Sequence, residues 1–226
     1  MLHQILLEVI VTNADEAALL NNSLVDRLEL IHDFSLGGLS PSLTVSREVC
    51  EVSAVPVNVM VRPHGRDFVY NAQEMAQIFA EIDYLRDHTM ANGIVFGSLD
   101  KQGLINEAQL QAVTARLGRL ELTFHRAIDV SANFIQSFTT LSKYQGVKTV
   151  LTSGHFDSAI DGIANIKQAK AMNTHINILV GSGLNLDNVS YLIEQVHPSE
   201  IHLGSGVRTS GKLDQAKMQQ LRLITA

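Results

Sequence analysis

Eight short apolar runs, most of them followed by a stretch with helical spacing, restrict most strongly how this chain can fold. The runs fall at residues 5–10, 27–30, 57–61, 93–96, 121–124, 149–151, 176–180 and 201–203 and are rich in Val, Ile and Leu. The clearest helical interval follows Asn71, a suitable N-cap, where Met75, Ile78, Phe79, Ile82 and Leu85 fall at helix spacing. Further helical patterns cover residues 13–21, 106–117, 133–144, 157–172, 186–195 and 214–223. Strands that alternate with helices pair in parallel, because parallel neighbours need a crossover between them. Eight such units in 226 residues predict an α/β fold, a closed (β/α)8 TIM barrel, as one domain over residues 1–226. An open doubly wound sheet is the alternative.

The stretch LELTFHRAIDV, residues 120–130, shows which side chains such a barrel would enclose. The outer face of a barrel strand packs under helices and must be apolar, so Leu122 and Phe124 point outward and Glu121, Thr123 and His125 inward. The same alternation sends Arg27 and Glu29 inward from the second strand, and Asn58, Met60 and Arg62 from the third. Glu8 enters from the first strand, and Glu200 and His202 from the eighth. Barrel interiors are normally filled by branched apolar side chains, so these charges must offset one another. A structural ion network accounts best for deep residues such as Glu121 and Glu200. Residues at the carboxyl ends of strands point to function, because this architecture builds its active sites there.

Composition narrows the options. A formal net charge of −6, with both signs mixed along the chain, leaves no basic stripe for a nucleic-acid backbone. No apolar run approaches the ~20 residues that cross a bilayer, and the N-terminus lacks a basic leader, so no membrane partner and a cytoplasmic location are expected. The single cysteine, Cys50, lies in a helical pattern and reads as a buried inert thiol.

The loops after the strands hold the candidate chemistry. RPHGRDFVY supplies Arg62, Arg66, Asp67 and Tyr70, in which two arginines can fork onto a carboxylate or phosphate. HRAID supplies His125, Arg126 and Asp129; Asp129 either orients His125 or caps the following helix. TSG (Thr152, Ser153, Gly154) and two GSG turns (Gly181, Ser182, Gly183; Gly204, Ser205, Gly206) follow the last three strands. Backbone amides freed by such small residues hold phosphate in many barrels. His32, His64, His125 and His155 all follow strands and could converge on a metal, although no HxH or HxxxH spacing pairs them. His3, His88, His175 and His197 require no function.

The succession LLEV, DRLEL, GGLSPS, RPHGRDFVY, LTFHRAID and LTSG, from Leu6 to about Gly206, resembles the CutC family, named for copper homeostasis. The resemblance implies a cytoplasmic (β/α)8 barrel, commonly a homo-oligomer, with copper binding in some members and polar mouth positions here at Glu8, Arg27, Glu29, Arg62, Asp67, Tyr70, His125, Arg126 and Asp129. It also shows departures: the family's cysteines after the first and second strands are Ile10, Val11 and Ile31 here, and His64 and Arg66 replace Arg and Gly. Copper(I) prefers soft thiolate and thioether ligands.

Two functions follow. One is copper homeostasis with a copper ion as ligand. The other is a lyase, isomerase or hydrolase acting on a small anionic or phosphorylated metabolite. In the second, Glu29 or Glu8 serves as base, His125 as acid or base, Arg62 and Arg126 as electrostatic stabilisers, and the GSG turns as anion cradle. No lysine ends a strand in the manner of a Schiff-base aldolase.

Overall fold

A computed structural model describes residues 4–20 and 24–226. Eight parallel strands close into a barrel in sequence order: β1 (Leu6–Val11), β2 (Arg27–Leu30), β3 (Val57–Met60), β4 (Gly93–Phe96), β5 (Glu121–Phe124), β6 (Val147–Thr152), β7 (Asn177–Gly181) and β8 (Glu200–Leu203). The ring closes where β1 pairs with β8, with Glu8 opposite His202. Helices α1 (Ala14–Leu19), α2 (Leu43–Val52), α3 (Ala72–His88), α4 (Glu107–Thr114), α5 (Phe134–Leu141), α6 (Ile163–Ala171), α7 (Val189–Val196) and α8 (Gln215–Thr225) follow the strands in turn. A short hairpin, β9 (Arg208–Thr209) with β10 (Lys212–Leu213), precedes α8. The closed ring excludes the open-sheet alternative. His3 and the Asn21 end of the first predicted helix lie outside the described residues.

Local chemistry explains most helix starts. Asn13, Ser42, Asn71, Asn106, Asn133 and Asp214 each accept a hydrogen bond from a first-turn amide with their side chains. At α3 the Glu74 carboxylate also accepts from the Asn71 amide, completing a capping box. Two helices begin later than their periodicity suggests. Residues 156–162 form turns before α6, and α7 starts at Val189 rather than at residue 186. The reason for the first is tertiary. Phe156 and Asp157 join the wall of a cavity, and Gly162 lies so close to the Ser153 carbonyl that a Cβ there would overlap it.

The inward and outward faces follow the alternation. Leu28, Leu30, Val57, Val59, Ile94, Phe96, Leu122 and Phe124 all belong to the main apolar core. On the other face Glu8, Arg27, Glu29, Asn58, Thr123, His125, Glu200 and His202 are buried as well, so the lumen is polar. Ile31, Met60 and Val95, with Ile10, form a separate small apolar cluster. Pairing of β5 with β6 shifts register between Leu122 and Thr123, opposite Val147 and Thr149; Lys148 is skipped and stays exposed while its neighbours are buried. Glu121 differs from expectation. It is exposed at the amino end of β5 and receives a hydrogen bond from Asn92 at 3.3 Å, so it belongs to no buried network.

Deletion of a side chain from the outer core should be costly. Phe124 is fully buried, and Phe124→Ala is expected to cost about 3–5 kcal/mol in urea denaturation. Leu223→Ala, at a side chain 80% exposed, should stay within about 0.5 kcal/mol. Equal costs would mean that the faces are assigned wrongly.

Candidate functional site

The loops at the carboxyl ends of the strands surround a cavity of about 470 Å³. Of the residues singled out from sequence, Glu29, Arg62, His125, Arg126, Asp129, Ser182, Gly183, Gly204 and Ser205 line it. Glu8 and Arg27 are buried in the lumen and do not line the cavity. The fold therefore brings side chains from β2, β3, β5, β7 and β8 to one place.

Within the lumen Arg27 is clamped by two carboxylates. Its Nε donates to Glu8 and its Nη2 to Glu200 Oε2 at 2.7 Å. The other oxygen of Glu8 lies 2.8 Å from His202 Nδ1, and His202 Nε2 faces Glu29 Oε2 at 3.6 Å. Burial would raise the Glu8 pKa, but Arg27 and His202 together more than offset it and hold this carboxyl below its ordinary range. Glu29 behaves oppositely: burial, reinforced by the Glu8 charge, pushes it up to about 7. Burial opposes a charge on His202, yet the Glu29 and Glu8 carboxylates prevail and raise its pKa. Both groups are thus pushed toward their protonated forms, and both line the cavity.

Arg62 is a cation without an anion. Its Nη1 donates to the carbonyls of Leu36 at 2.8 Å, Gly38 at 3.1 Å and Gly37 at 3.3 Å. Among the described residues no carboxylate forms a salt bridge with it, and its Nε has no hydrogen-bond partner. The guanidinium lies over Phe68, 4.6 Å from the ring centroid. Burial lowers its pKa from the ordinary value, although arginine remains charged. His125 packs against the same phenyl group, its ring 4.9 Å from that of Phe68 and tilted to it. Burial, with the neighbouring Arg62, pushes His125 down to about 3. The ring is neutral, and Nδ1 accepts from the Ala127 amide at 3.2 Å, which assigns the proton to Nε2. Gly97 makes room for it, since a Cβ there would lie 2.6 Å from His125 Nδ1.

Asp129 has a different role from either one expected. It neither touches His125 nor caps α5, whose cap is Asn133. Its carboxylate accepts from the Ser153 amide and hydroxyl, both at 2.9 Å, from the His155 amide at 3.1 Å and from the Thr152 hydroxyl. Arg126 donates to it from Nε at 2.9 Å and to Ser153 Oγ at 2.9 Å. Asp129, Arg126 and Ser153 therefore brace the β5 and β6 loops, and the Arg126 charge is neutralised. Gly154 belongs to this brace, with its amide on Thr152 Oγ1 at 2.8 Å. His155, held there, takes a φ of +72°, a conformation that costs a non-glycine residue of order 1–3 kcal/mol.

The remaining expected residues are spread out. Asp67 is exposed and accepts from the Val69 amide at 3.1 Å, Arg66 is exposed and pairs with Glu74, and Tyr70 is buried against His64 and Phe96. Gly181 and Gly206 do not line the cavity. Side-chain atoms block much of the space at the first GSG turn, since a Cβ on Gly181 would lie 2.9 Å from Leu151, and Ser182 Oγ donates to the Asp157 carbonyl at 2.7 Å. Three contributors were passed over as site residues: His202, visible in the alternation of EIHL, and the aromatic walls Phe34 and Phe68, which carry no sequence signal apart from their loops.

One group of donors among the described residues has metal-ligand spacing: Glu8, Glu29 and His202, whose atoms lie within 4.8 Å of one another. It does not fit copper(I). Two hard carboxylates and one imidazole replace soft sulfur, and the fixed Arg27 cation already holds Glu8. Cys50 sits in α2, in the core outside the strands, where burial pushes its thiol up to about 11. Of the four loop histidines expected to converge, His125 and His155 line the cavity, whereas His32 and His64 do not.

Comparison with known proteins agrees with this architecture. The family model described as CutC family matches residues 5–207. A CutC family protein of Glaesserella parasuis is 32% identical over 208 residues, covering 92% of this chain and 85% of the relative. One from Pasteurella multocida is 33% identical over 206 residues, covering 90% and 84%. A solved structure from Streptococcus agalactiae, described as a copper homeostasis protein CutC, is 26% identical with a TM-score of 0.82, covering 90% of this chain and all, 100%, of that one. The N-(5'-phosphoribosyl)anthranilate isomerase of Pyrococcus furiosus, at 19% identity, a TM-score of 0.65 and 98% coverage of both chains, shares the fold alone. The chain belongs to the CutC family.

Proposed function

We propose that the barrel mouth binds a small organic anion and moves a proton on it, with Arg62 as anchor and the Glu29–His202 pair as proton exchanger. The observation that carries this reading is Arg62 itself. A buried guanidinium is normally paired with a carboxylate, and this one, beside a neutral histidine at a cavity wall, forms no salt bridge among the described residues and feels the exposed Asp67 carboxylate only at a distance. A ligand carboxylate or phosphate would supply the missing charge. Glu29, held near 7 and 3.6 Å from His202, is poised to accept or give a proton around neutral pH.

The family name links such proteins to copper homeostasis, but the clustered donors Glu8, Glu29 and His202 are poorly matched to copper(I) and the cavity lining adds a single soft atom, the Met60 thioether, which supports a link through the chemistry of an organic ligand. The reading that the protein is an enzyme therefore ranks above direct copper binding. Lyase and isomerase chemistry suit a site with one anion anchor and one proton exchanger. The Asp129 brace keeps Arg126 and Ser153 from serving the ligand directly.

Binding is tested by thermal unfolding with a panel of small carboxylates and phosphate esters. At a concentration 100-fold above Kd a ligand adds about 2.7 kcal/mol to stability. That corresponds to a rise in Tm of roughly 5–10 °C for a chain of this size. Arg62→Met should abolish the rise. The same shift in both proteins, or none with any anion, would sink the proposal.

The protonation of Glu29 and His202 gives a second expectation. Both pKa values are raised above those of the unfolded chain, so the folded state binds a proton that the unfolded state releases. Their contribution to stability is present in full below about pH 4.5 and is lost as pH rises through about 7. In urea denaturation between pH 5 and 8 the wild type should lose up to roughly 3 kcal/mol more than Glu29→Gln. Parallel pH profiles would show that Glu29 titrates as it does in the unfolded chain.

A further inference from the structure

Resting on the reading of the mouth as an organic-anion site, we propose that its ligand is a 2-oxo acid with an apolar substituent, which Glu29 enolises while Arg62 and His125 hold its oxygens. Three polar atoms motivate this. Arg62 Nε, His125 Nε2 and Glu29 Oε1 have no hydrogen-bond partner among the described residues, and their side chains border the same cavity. The residues are only 7%, 3% and 2% exposed, so whatever completes these bonds reaches them through the cavity. A buried polar group left without a partner destabilises a folded protein, and a ligand that completes all three bonds would recover that cost.

Two donors and one acceptor define the chemistry. Phe68 touches both Arg62 and His125, with centroid distances of 4.6 Å and 4.9 Å, and the Arg62 charge acts on the His125 ring, so the two donors share one neighbourhood of the cavity wall. Neighbouring donors match neighbouring acceptors, such as the carboxylate and keto oxygen on adjacent carbons of a 2-oxo acid. A plain carboxylate leaves Glu29 without a proton to take, whereas a 2-oxo acid has an acidic C–H next to its keto carbon. A phosphate dianion needs more donors than these two, and the hydroxyl of the first GSG turn is engaged with Asp157. The apolar substituent follows from the rim, where Phe34, Leu36, Val130 and Phe156 are exposed around the opening.

The step balances without a co-reactant. Glu29 Oε1 takes a proton from C3, the C–H electron pair becomes the C2=C3 bond, and the carbonyl π pair moves onto the keto oxygen. His125 Nε2–H and Arg62 stabilise that enolate oxygen and the carboxylate. His125 serves as a neutral donor, since burial beside Arg62 keeps it unprotonated near pH 7. Glu29 shares its new proton with His202, and return of a proton to C3 completes keto–enol exchange.

Phenylpyruvate in deuterium oxide provides the probe, with loss of its C3 proton signal followed by NMR, and oxalate serves as a planar mimic of the enolate. The wild type should exchange C3 at least ~10-fold faster than buffer, and saturably. Glu29→Gln should fall to the buffer rate while still binding oxalate, and Arg62→Met should lose oxalate binding. His125→Ala should lower exchange most of the way to the buffer rate. His125→Gln, which keeps a donor, should restore part of it, an effect that a packing role for His125 would not produce. If oxalate binds the wild type but not Arg62→Met, and exchange stays at the buffer rate or ignores Glu29→Gln, the enolisation inference is overturned and the anion site stands. Should neither oxalate nor any other anion bind, both fall together.

Discussion

The clamp on Arg27 inside the barrel is the interaction on which the rest of the structure depends. Taking a guanidinium and two carboxylates out of water costs several kcal/mol per ion, and only close geometry offsets it. That geometry exists because β1, β2 and β8 are neighbours in one register, with Glu8 opposite both Arg27 and His202. A slip of one residue in β2 would turn Arg27 and Glu29 toward the apolar layer beneath the helices. The network is thus a device for specifying register, and its upper members, Glu29 and His202, are the parts that meet the cavity.

The electrostatics of the mouth follow from what this network leaves over. Lumen carboxylates outnumber the one arginine among them, so Glu29 holds its proton at pH values where carboxylic acids are normally ionised. Elsewhere on the cavity wall the imbalance has the opposite sign, with Arg62 in no salt bridge among the described residues and His125 neutral beside it. The Asp129 brace consumes Arg126, another arginine of the cavity lining, in an ion pair with Asp129. A polar cavity lined by an acid–base pair and by a cation without a salt bridge has the asymmetry that the proposed organic anion would complement.

Much of this was legible in the sequence because a strand obeys a period of two. ELTF and VNVM, read with the apolar face outward, correctly placed Thr123, His125, Asn58 and Arg62 inside. The helices were legible through their Asn, Ser and Asp caps. Glu121 escaped because period alone does not say how far along the barrel axis a side chain lies, and an inward residue at the amino end meets solvent. Asp129 escaped for another reason. Its partners, Thr152, Ser153 and His155, are more than 20 residues away, and carboxylate-to-amide bonds leave no periodic trace. Arg62 and Arg126 look equivalent in sequence, yet only coordinates reveal which of them has a partner.

The joint between the first and last units has a bearing on how the chain comes to be folded. Arg208 reaches back to grip both oxygens of Glu16, at 2.5 and 2.8 Å, and the Ile10 carbonyl at 3.0 Å, while Arg27 obtains Glu200 from 173 residues away. During synthesis the amino-terminal strands must therefore wait, with an unpaired β1 edge and half of the Arg27 clamp missing, until residues 200–208 have left the ribosome. Such a molecule acquires its final form late and all at once, and its nascent stage is where assistance from chaperones would matter most.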